Sequence, residues 1–117
     1  MTAHPQAQRS SRSRGRARAS GSAESVLDAT TMWSLVVARA EATPEAVFVI
    51  DEHDRTLTFA ALRDAAERAA AGLVARGVTA GATVAWQLPT WIESLVLMAA
   101  LSRLGARQLA LLPMYRE

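Results

Sequence analysis

The chain has 117 residues, with 13 basic residues against 11 acidic ones and no cysteine, and half of its residues are hydrophobic. The lack of cysteine excludes a disulfide framework, a thiolate metal site and a cysteine nucleophile, and the length excludes a multidomain protein. The longest nearly apolar stretch, residues 91–101, contains Glu93 and Ser94 and is far shorter than the roughly 20 apolar residues of a membrane-spanning helix. We therefore expect one small soluble cytoplasmic domain without a membrane span.

The first part of the chain differs from the rest in charge. Residues 1–23 contain five arginines and five serines but no acidic residue, and between Pro5 and Val26 the only apolar side chains are those of alanine. Such a segment cannot bury enough surface to offset the entropy of ordering it. We predict a disordered Arg/Ser-rich tail over residues 1–25 and a folded domain over residues 26–117. Clustered arginines can bind phosphate backbones, but the tail lacks interleaved aromatic residues, so nucleic-acid binding is less favoured than a passive extension.

The first half of the domain predicts a helix, a hairpin and a second helix. Apolar residues at helical spacing, with Thr30 or Thr31 as the N-cap, indicate a helix that ends before Pro44. The β-branched and aromatic run 46–50, the polar segment 51–55 and the alternating run 56–59 indicate a β-hairpin. Thr58 then caps a helix that ends at Gly77, and its apolar face contains Leu62, Ala66, Ala69 and Leu73.

The second half predicts a strand, a helix and a parallel strand. Residues 83–88 form the first strand, and Thr90 with Glu93 reads as a capping box for a helix that Gly105 ends. The second strand covers residues 107–112. A strand, helix and strand joined by short connections form a βαβ unit with parallel strands, so the fold class is α/β.

This arrangement leaves too few layers to cover its apolar residues. Parallel sheets normally have helices on both faces, whereas the chain stops soon after its last strand. We expect Leu95–Leu101 and Leu109–Leu112 to keep exposed apolar area unless the remainder of a larger domain, or another partner, covers them. The predicted core positions are Leu62, Leu73, Val84, Trp86, Leu97, Leu101, Leu109 and Leu111.

No constellation of side chains in this sequence predicts chemistry. His53 lies in the predicted hairpin turn with Asp51, Glu52 and Asp54, which we interpret as a solvated acidic tip without the glycine and terminal glutamate of a calcium loop. Gly77 and Gly81 lie between a helix and a strand, the reverse of the order in a phosphate-binding loop, and we interpret them as turn residues. Trp33, Trp86 and Trp91 are interpreted as packing residues. We predict no catalytic, cofactor-binding or metal-binding residue.

Six short blocks nevertheless occur in a distinctive order and spacing. They are Trp33-Ser-Leu35 with Ala42-Thr-Pro44, Leu57-Thr-Phe-Ala-Ala-Leu62, Gly77-Val-Thr-Ala-Gly81 with Thr83-Val-Ala85, Leu88-Pro-Thr-Trp-Ile-Glu93, Leu104-Gly-Ala106, and Pro113-Met-Tyr-Arg-Glu117. With these blocks, residues 33–117 resemble the N-terminal end of the AMP-binding, adenylate-forming superfamily, which includes acyl-CoA synthetases, peptide-synthetase adenylation domains and luciferase. Residues 111–117 look most like fatty and alicyclic acyl-CoA ligases. Phe59, Ala82 and Thr90 stand where the family usually has Tyr, Asp and Asn.

The resemblance implies an enzyme that forms an acyl-adenylate from a carboxylic acid and ATP with Mg²⁺, and then transfers the acyl group to coenzyme A. The family's Ser/Thr/Gly-rich phosphate loop, ribose-binding aspartate and C-terminal catalytic lysine would lie beyond residue 117, and the chain contains no lysine. We therefore expect residues 26–117 to be the truncated N-terminal part of an AMP-binding domain, inactive alone. The alternatives are a stand-alone interaction module on the same scaffold and a nonspecific nucleic-acid contact through the tail.

Overall fold

The computed structural model describes residues 28–112 and has the α/β architecture expected from the sequence. Three helices and four strands follow one another in this part of the chain. Helix α1 spans Met32–Ala42, strands β1 and β2 span Val47–Ile50 and Thr56–Thr58, helix α2 spans Phe59–Ala75, strand β3 spans Thr83–Trp86, helix α3 spans Ile92–Leu104, and strand β4 spans Arg107–Ala110. The predicted tail lies outside the described residues. None of the helices within 28–112 is long and apolar enough to cross a membrane.

Threonine side chains begin the first two helices, as predicted. The Thr31 Oγ1 atom accepts a hydrogen bond from the Ser34 N–H at 3.0 Å, and the Ser34 Oγ atom accepts one from the Thr31 N–H at 3.0 Å. The Thr58 Oγ1 atom accepts from the Ala61 N–H at 3.1 Å. These bonds satisfy backbone donors that the first helical turn leaves without partners.

The strands form two separate two-stranded sheets. Strands β1 and β2 pair antiparallel with an irregularity between Val47 and Val49, and β3 and β4 pair parallel with Thr83 opposite Arg107 and Trp86 opposite Ala110. Helix α3 connects the two parallel strands, which confirms the predicted βαβ unit. Gly77 and Gly81, at φ +92° and +79°, turn the chain from α2 into β3, where the left-handed conformation suits glycine.

The core lies between the three helices and is rich in small side chains. It consists of Val36 from α1, Leu62, Ala66 and Ala70 from α2, and Ala99 and Ala100 from α3, all at most 5% exposed. The hairpin adds Phe48, whose ring centroid lies 5.3 Å from that of Phe59 at the start of α2. Because alanine side chains are small, the backbones of the facing helices approach each other closely here.

The predicted core positions divide into three groups. Leu62 and Leu101 are fully buried, and Leu73, Val84, Trp86 and Leu97 are half-buried. Leu109 and Leu111 are 52% and 46% exposed, so they do not belong to the core of the described residues, and both lie in the segment expected to stay exposed without further layers. No described element covers their side of β4, so positions suited to a core remain open to solvent.

Helix α3 differs from its prediction in two ways. Its N-cap is Trp91, whose N–H donates to the Ser94 Oγ atom at 3.2 Å. The predicted Thr90–Glu93 capping box is wrong, because Trp91 has an extended backbone and the helix starts one residue later than predicted. The expected exposure of Leu95–Leu101 is also wrong in part. Ala99, Ala100 and Leu101 are fully buried, and residues 95–98 are half-buried.

Candidate functional site

A groove lies at the carboxyl ends of the two parallel strands. It has a volume of about 210 Å³ and is bounded by the loop after β3, the first turns of α3 and the end of β4. Its lining is mostly apolar and consists of Trp86, Leu88, Pro89, Thr90, Ser94, Leu95, Met98, Ala110, Leu111 and Leu112. The carboxyl edge of parallel strands is the usual place for ligand binding in open α/β sheets, which makes this groove the candidate functional site.

The parallel sheet beside the groove has one covered face and one open face. Val84 and Trp86 are half-buried on the side of α3, and the Gln108 Nε2 atom donates to the Met98 carbonyl of that helix at 2.9 Å. Thr83 and Ala85 on β3, and every residue of β4, are exposed. Within residues 28–112, β4 pairs only with β3, so its second edge offers unpaired backbone donors and acceptors.

Large apolar side chains surround this face and the groove mouth. Their exposed members near the parallel strands are Leu88, Trp91, Leu109, Leu111 and Leu112, with Leu112 at 74%. Exposed apolar side chains that lie close together are typical of a surface that contacts another element, a partner or a ligand. The sequence-based expectation of exposed apolar area at Leu109–Leu112 is therefore confirmed.

Trp86 contributes a polar atom that stays without a partner. Its indole Nε1 atom is buried, yet it donates a hydrogen bond to no acceptor among residues 28–112. Buried indole N–H groups usually find an acceptor. The indole of Trp86 also lines the groove, so this unsatisfied donor lies at the candidate site.

An ion-pair network joins the hairpin turn to the start of α3. The Arg55 Nε atom lies 2.6 Å from Asp51 Oδ2, and its two terminal nitrogens lie 2.8 Å and 3.4 Å from the carboxylate oxygens of Glu93. The Asp51 Oδ1 atom also accepts hydrogen bonds from the backbone N–H groups of His53 and Arg55, at 2.9 Å and 2.8 Å. Arg55 thus connects two carboxylates from different parts of the chain.

The network keeps all three groups charged. The hydrogen bonds from Arg55 hold the pKa of Glu93 below its usual value. For Asp51 the largest single influence is burial, which raises the pKa. The hydrogen bonds from Arg55 and His53 together have a greater effect in the opposite direction, so the pKa of Asp51 lies below its usual value. The hydrogen bonds to Glu93 and then to Asp51 raise the pKa of Arg55 further above its normal range.

The hairpin turn corresponds only in part to the predicted acidic tip. His53 is exposed, with its Nδ1 atom 3.9 Å from Glu52 Oε1, and Asp54 is exposed with φ +58°. The interpretation is wrong for Asp51, whose side chain is 7% exposed because it accepts backbone and guanidinium hydrogen bonds. Local sequence could suggest the Asp51 turn, but no local signal links Arg55 to Glu93, 38 positions away.

Two of the three tryptophans, Trp33 and Trp91, lie in different environments. Trp33 is half-buried under the Arg103 guanidinium, whose carbon lies 5.5 Å from its ring centroid. The packing interpretation is wrong for Trp91, which is 47% exposed beside the groove. In the described range, no three His, Asp or Glu side chains lie close enough to hold a metal ion. The prediction that the chain has no site residues remains a prediction.

Relatives of this chain are adenylate-forming enzymes. The chain is 38% identical to the medium-chain fatty-acid–CoA ligase of Escherichia coli strain K12 over 78 residues, which are 67% of this chain but 14% of the ligase. It is 36% identical to Mycobacterium smegmatis MbtA, with a TM-score of 0.68, covering 74% of this chain and 16% of MbtA. The N-terminal subdomain of Klebsiella oxytoca NpsA shares the fold, at 22% identity and a TM-score of 0.69, over 74% of this chain and 23% of that subdomain chain.

The family model described as "AMP-binding enzyme" matches residues 36–117, well over half of the chain. The matched range includes the groove, both sheets and the Asp51–Arg55–Glu93 network. The resemblance seen in residues 33–117 is thereby confirmed. The chain spans less than a quarter of the length of each of these three relatives, and it belongs to the family of AMP-binding enzymes.

Proposed function

We propose that residues 28–112 are the N-terminal scaffold of an AMP-dependent acyl-CoA ligase and that they are inactive by themselves. The single observation that carries this proposal is the open side of the β3–β4 sheet, in a chain that matches the AMP-binding family over residues 36–117. We also propose residues 26–117 as the extent of this partial domain, with residues 1–25 as a separate tail. The enzyme acts in the cytoplasm.

The open side fits a surface that the remainder of an AMP-binding domain covers. Parallel sheets are stable when both faces are packed, and in the described residues one face and both outer edges of this sheet are free. The exposed Leu109 lies on β4, and the exposed Leu111 and Leu112 follow that strand directly, where a further strand or helix would contact them. The partner of this surface is therefore a further part of the same catalytic domain.

A complete enzyme of this type activates a carboxylic acid with ATP and Mg²⁺ and passes the acyl group to coenzyme A. The groove fits a triphosphate poorly, because its lining offers apolar side chains and two hydroxyl groups but no cationic side chain. Phosphate binding and catalysis must come from residues outside 28–112. The scaffold would contribute shape and stability, and the apolar groove would lie at the edge where the missing segments join.

Inactivity of the isolated chain is tested by ATP–pyrophosphate exchange. The purified 117-residue chain, assayed with short-, medium- and long-chain carboxylic acids, should show no exchange above a blank. Measurable exchange would contradict the inactive-scaffold proposal.

The scaffold role itself is tested with a hybrid enzyme. Residues 36–112 replace the matching stretch of the E. coli medium-chain ligase, and the hybrid should retain exchange activity. The matched control carries Leu62→Asp in the same hybrid, which places a charge in the helical core and should abolish activity. A folded hybrid without activity would refute the scaffold role.

The exposed apolar face also fits a stand-alone interaction module. Such a module should be soluble and should unfold cooperatively by itself. A noncooperative melt with strong dye binding favours the partial-domain proposal instead.

A further inference from the structure

Arg55 is the polar connection between the hairpin and the start of α3. Among the hydrogen bonds and ion pairs of residues 28–112, only those of Arg55 join the β1–β2 hairpin to α3. Its partner Glu93 is the second residue of that helix. The first turn of α3 also contains Ser94 and Leu95, which line the groove.

The hairpin end of this connection is rigid. The Asp51 carboxylate is almost fully buried and is fixed by two backbone hydrogen bonds within its own turn. A guanidinium group presents its donors in a planar fork, so the bond to Asp51 also orients the two nitrogens that face Glu93. Exposed ion pairs are usually weak because two long side chains must be immobilised. Here Asp51 has already immobilised Arg55.

Within α3, the first turn is held by Ser94, which is 4% exposed and whose Oγ atom accepts a hydrogen bond from the Trp91 N–H at 3.2 Å and donates one to the Trp91 carbonyl at 2.6 Å. The N-cap residue Trp91 is exposed, and its side chain makes no capping hydrogen bond. The Leu95 N–H donates to the Trp91 carbonyl at 3.4 Å, which is long for a backbone hydrogen bond. Because these bonds all lie within the start of α3, the contact of Glu93 with Arg55 is the polar bond that attaches this turn to the hairpin.

From these contacts we infer that Arg55 is a positioning residue, which holds the first turn of α3 and thereby sets the rim of the groove. Asp51 fixes the orientation of the Arg55 side chain. Arg55 in turn holds Glu93, and the position of Glu93 determines where the next two residues, Ser94 and Leu95, lie. This inference concerns the shape of the site and does not depend on the acyl-CoA ligase activity proposed above.

The test is amide hydrogen exchange, measured by NMR on the 117-residue chain. Arg55→Met should accelerate exchange of the Ser94 and Leu95 amides by about threefold or more, while the Ala66 and Ala70 amides in the core of α2 keep their rates. Arg55→Lys keeps the charge but not the planar fork, so it should restore only part of the protection. Glu93→Gln should resemble Arg55→Met, and the double variant should add little to either one, because both remove the same contact.

Arg63→Met is the matched control. Its Nε atom lies 3.1 Å from Asp64 Oδ1, but both residues belong to α2, so losing this pair should leave Ser94 and Leu95 unchanged. Unaltered exchange at these two amides in Arg55→Met would overturn the inference, as would an equal acceleration throughout the protein. Unfolding of both Arg55→Met and Glu93→Gln would also overturn it, since it would indicate a global requirement. Exchange is measured without ATP or acyl substrate, so failure of the ligase proposal would not affect the result.

Discussion

Replacement of Leu62 by alanine tests whether the helical core stabilises the fold. Leu62 is fully buried in a cluster with Val36 and four alanines from α2 and α3. The substitution removes three carbon atoms, and at about 0.8 kcal/mol for each buried carbon the lost transfer free energy is about 2.4 kcal/mol. A cavity adds to this cost whenever the surroundings cannot relax into it, and measured Leu→Ala costs in one well-studied protein are about 2.7–5 kcal/mol.

The surroundings of Leu62 favour the upper part of that range. Its core neighbours Ala66, Ala70, Ala99 and Ala100 have no side-chain torsion that could move atoms into the space. We therefore expect Leu62→Ala to lower the free energy of unfolding by about 3–4 kcal/mol. Domains of this size have a total stability of only about 5–10 kcal/mol, so the variant should unfold at a clearly lower urea concentration than the wild type.

The assay is urea unfolding followed by circular dichroism at 25 °C. The matched control is Leu112→Ala, which shortens a 74% exposed side chain and should change the unfolding free energy by less than about 0.5 kcal/mol. A cost below about 1 kcal/mol for Leu62→Ala, with an unchanged denaturant slope, would refute the packing described here.

Three further substitutions test the ends of the helices and the ion-pair network. Thr58→Ala should lower the free energy of unfolding by about 1 kcal/mol because it removes the N-cap of α2. Thr90→Ala should lower it by less than about 0.5 kcal/mol. Similar losses in the two variants would show that Thr90 caps α3. Gly105 has a φ of +68°, so Gly105→Ala should lower the free energy of unfolding in urea by about 1–2 kcal/mol. Gly72 lies inside α2 with no atom near the position of a Cβ, so Gly72→Ala should raise the free energy of unfolding by about 0.5–1 kcal/mol. The opposite order of the two variants would contradict the left-handed backbone at Gly105. The lowered pKa of Glu93 implies a stabilisation that is present above its usual value of 4.5 and is lost as the pH falls through the folded-state pKa. Glu93→Gln should therefore lose less stability than the wild type in urea titrations between about pH 5 and pH 3, and equal losses would argue against the contact with Arg55.

Features of the fold that depend on neighbouring residues could be predicted from the sequence. Thr31 and Thr58 cap their helices through bonds that span three residues, and Gly77 ends α2 with a positive φ. The parallel pairing of β3 and β4 follows from the short connections of the βαβ unit. These signals are local in the chain, so they do not require knowledge of the packing.

Features that depend on distant residues could not be predicted. Helix α3 is apolar on most sides, and no periodicity indicated that Ala99 and Ala100 would be its buried positions. Nothing near Glu93 in sequence showed that it would bind Arg55 rather than close a capping box with Thr90. Of the candidate site, the exposed Leu109–Leu112 segment could be expected from the lack of a covering layer, but the groove required the relative placement of α3 and the loop after β3.

The unpartnered indole of Trp86 has a spectroscopic consequence. A buried N–H without an acceptor costs about 1–3 kcal/mol, and a neighbouring segment that brought a carbonyl oxygen within about 3 Å would recover that cost. The proton on Nε1 would then move downfield in the NMR spectrum, in a region that few other resonances occupy. Trp86 therefore provides a native probe for titrating candidate covering segments, because its resonance would report both their arrival at the parallel strands and the formation of the missing hydrogen bond.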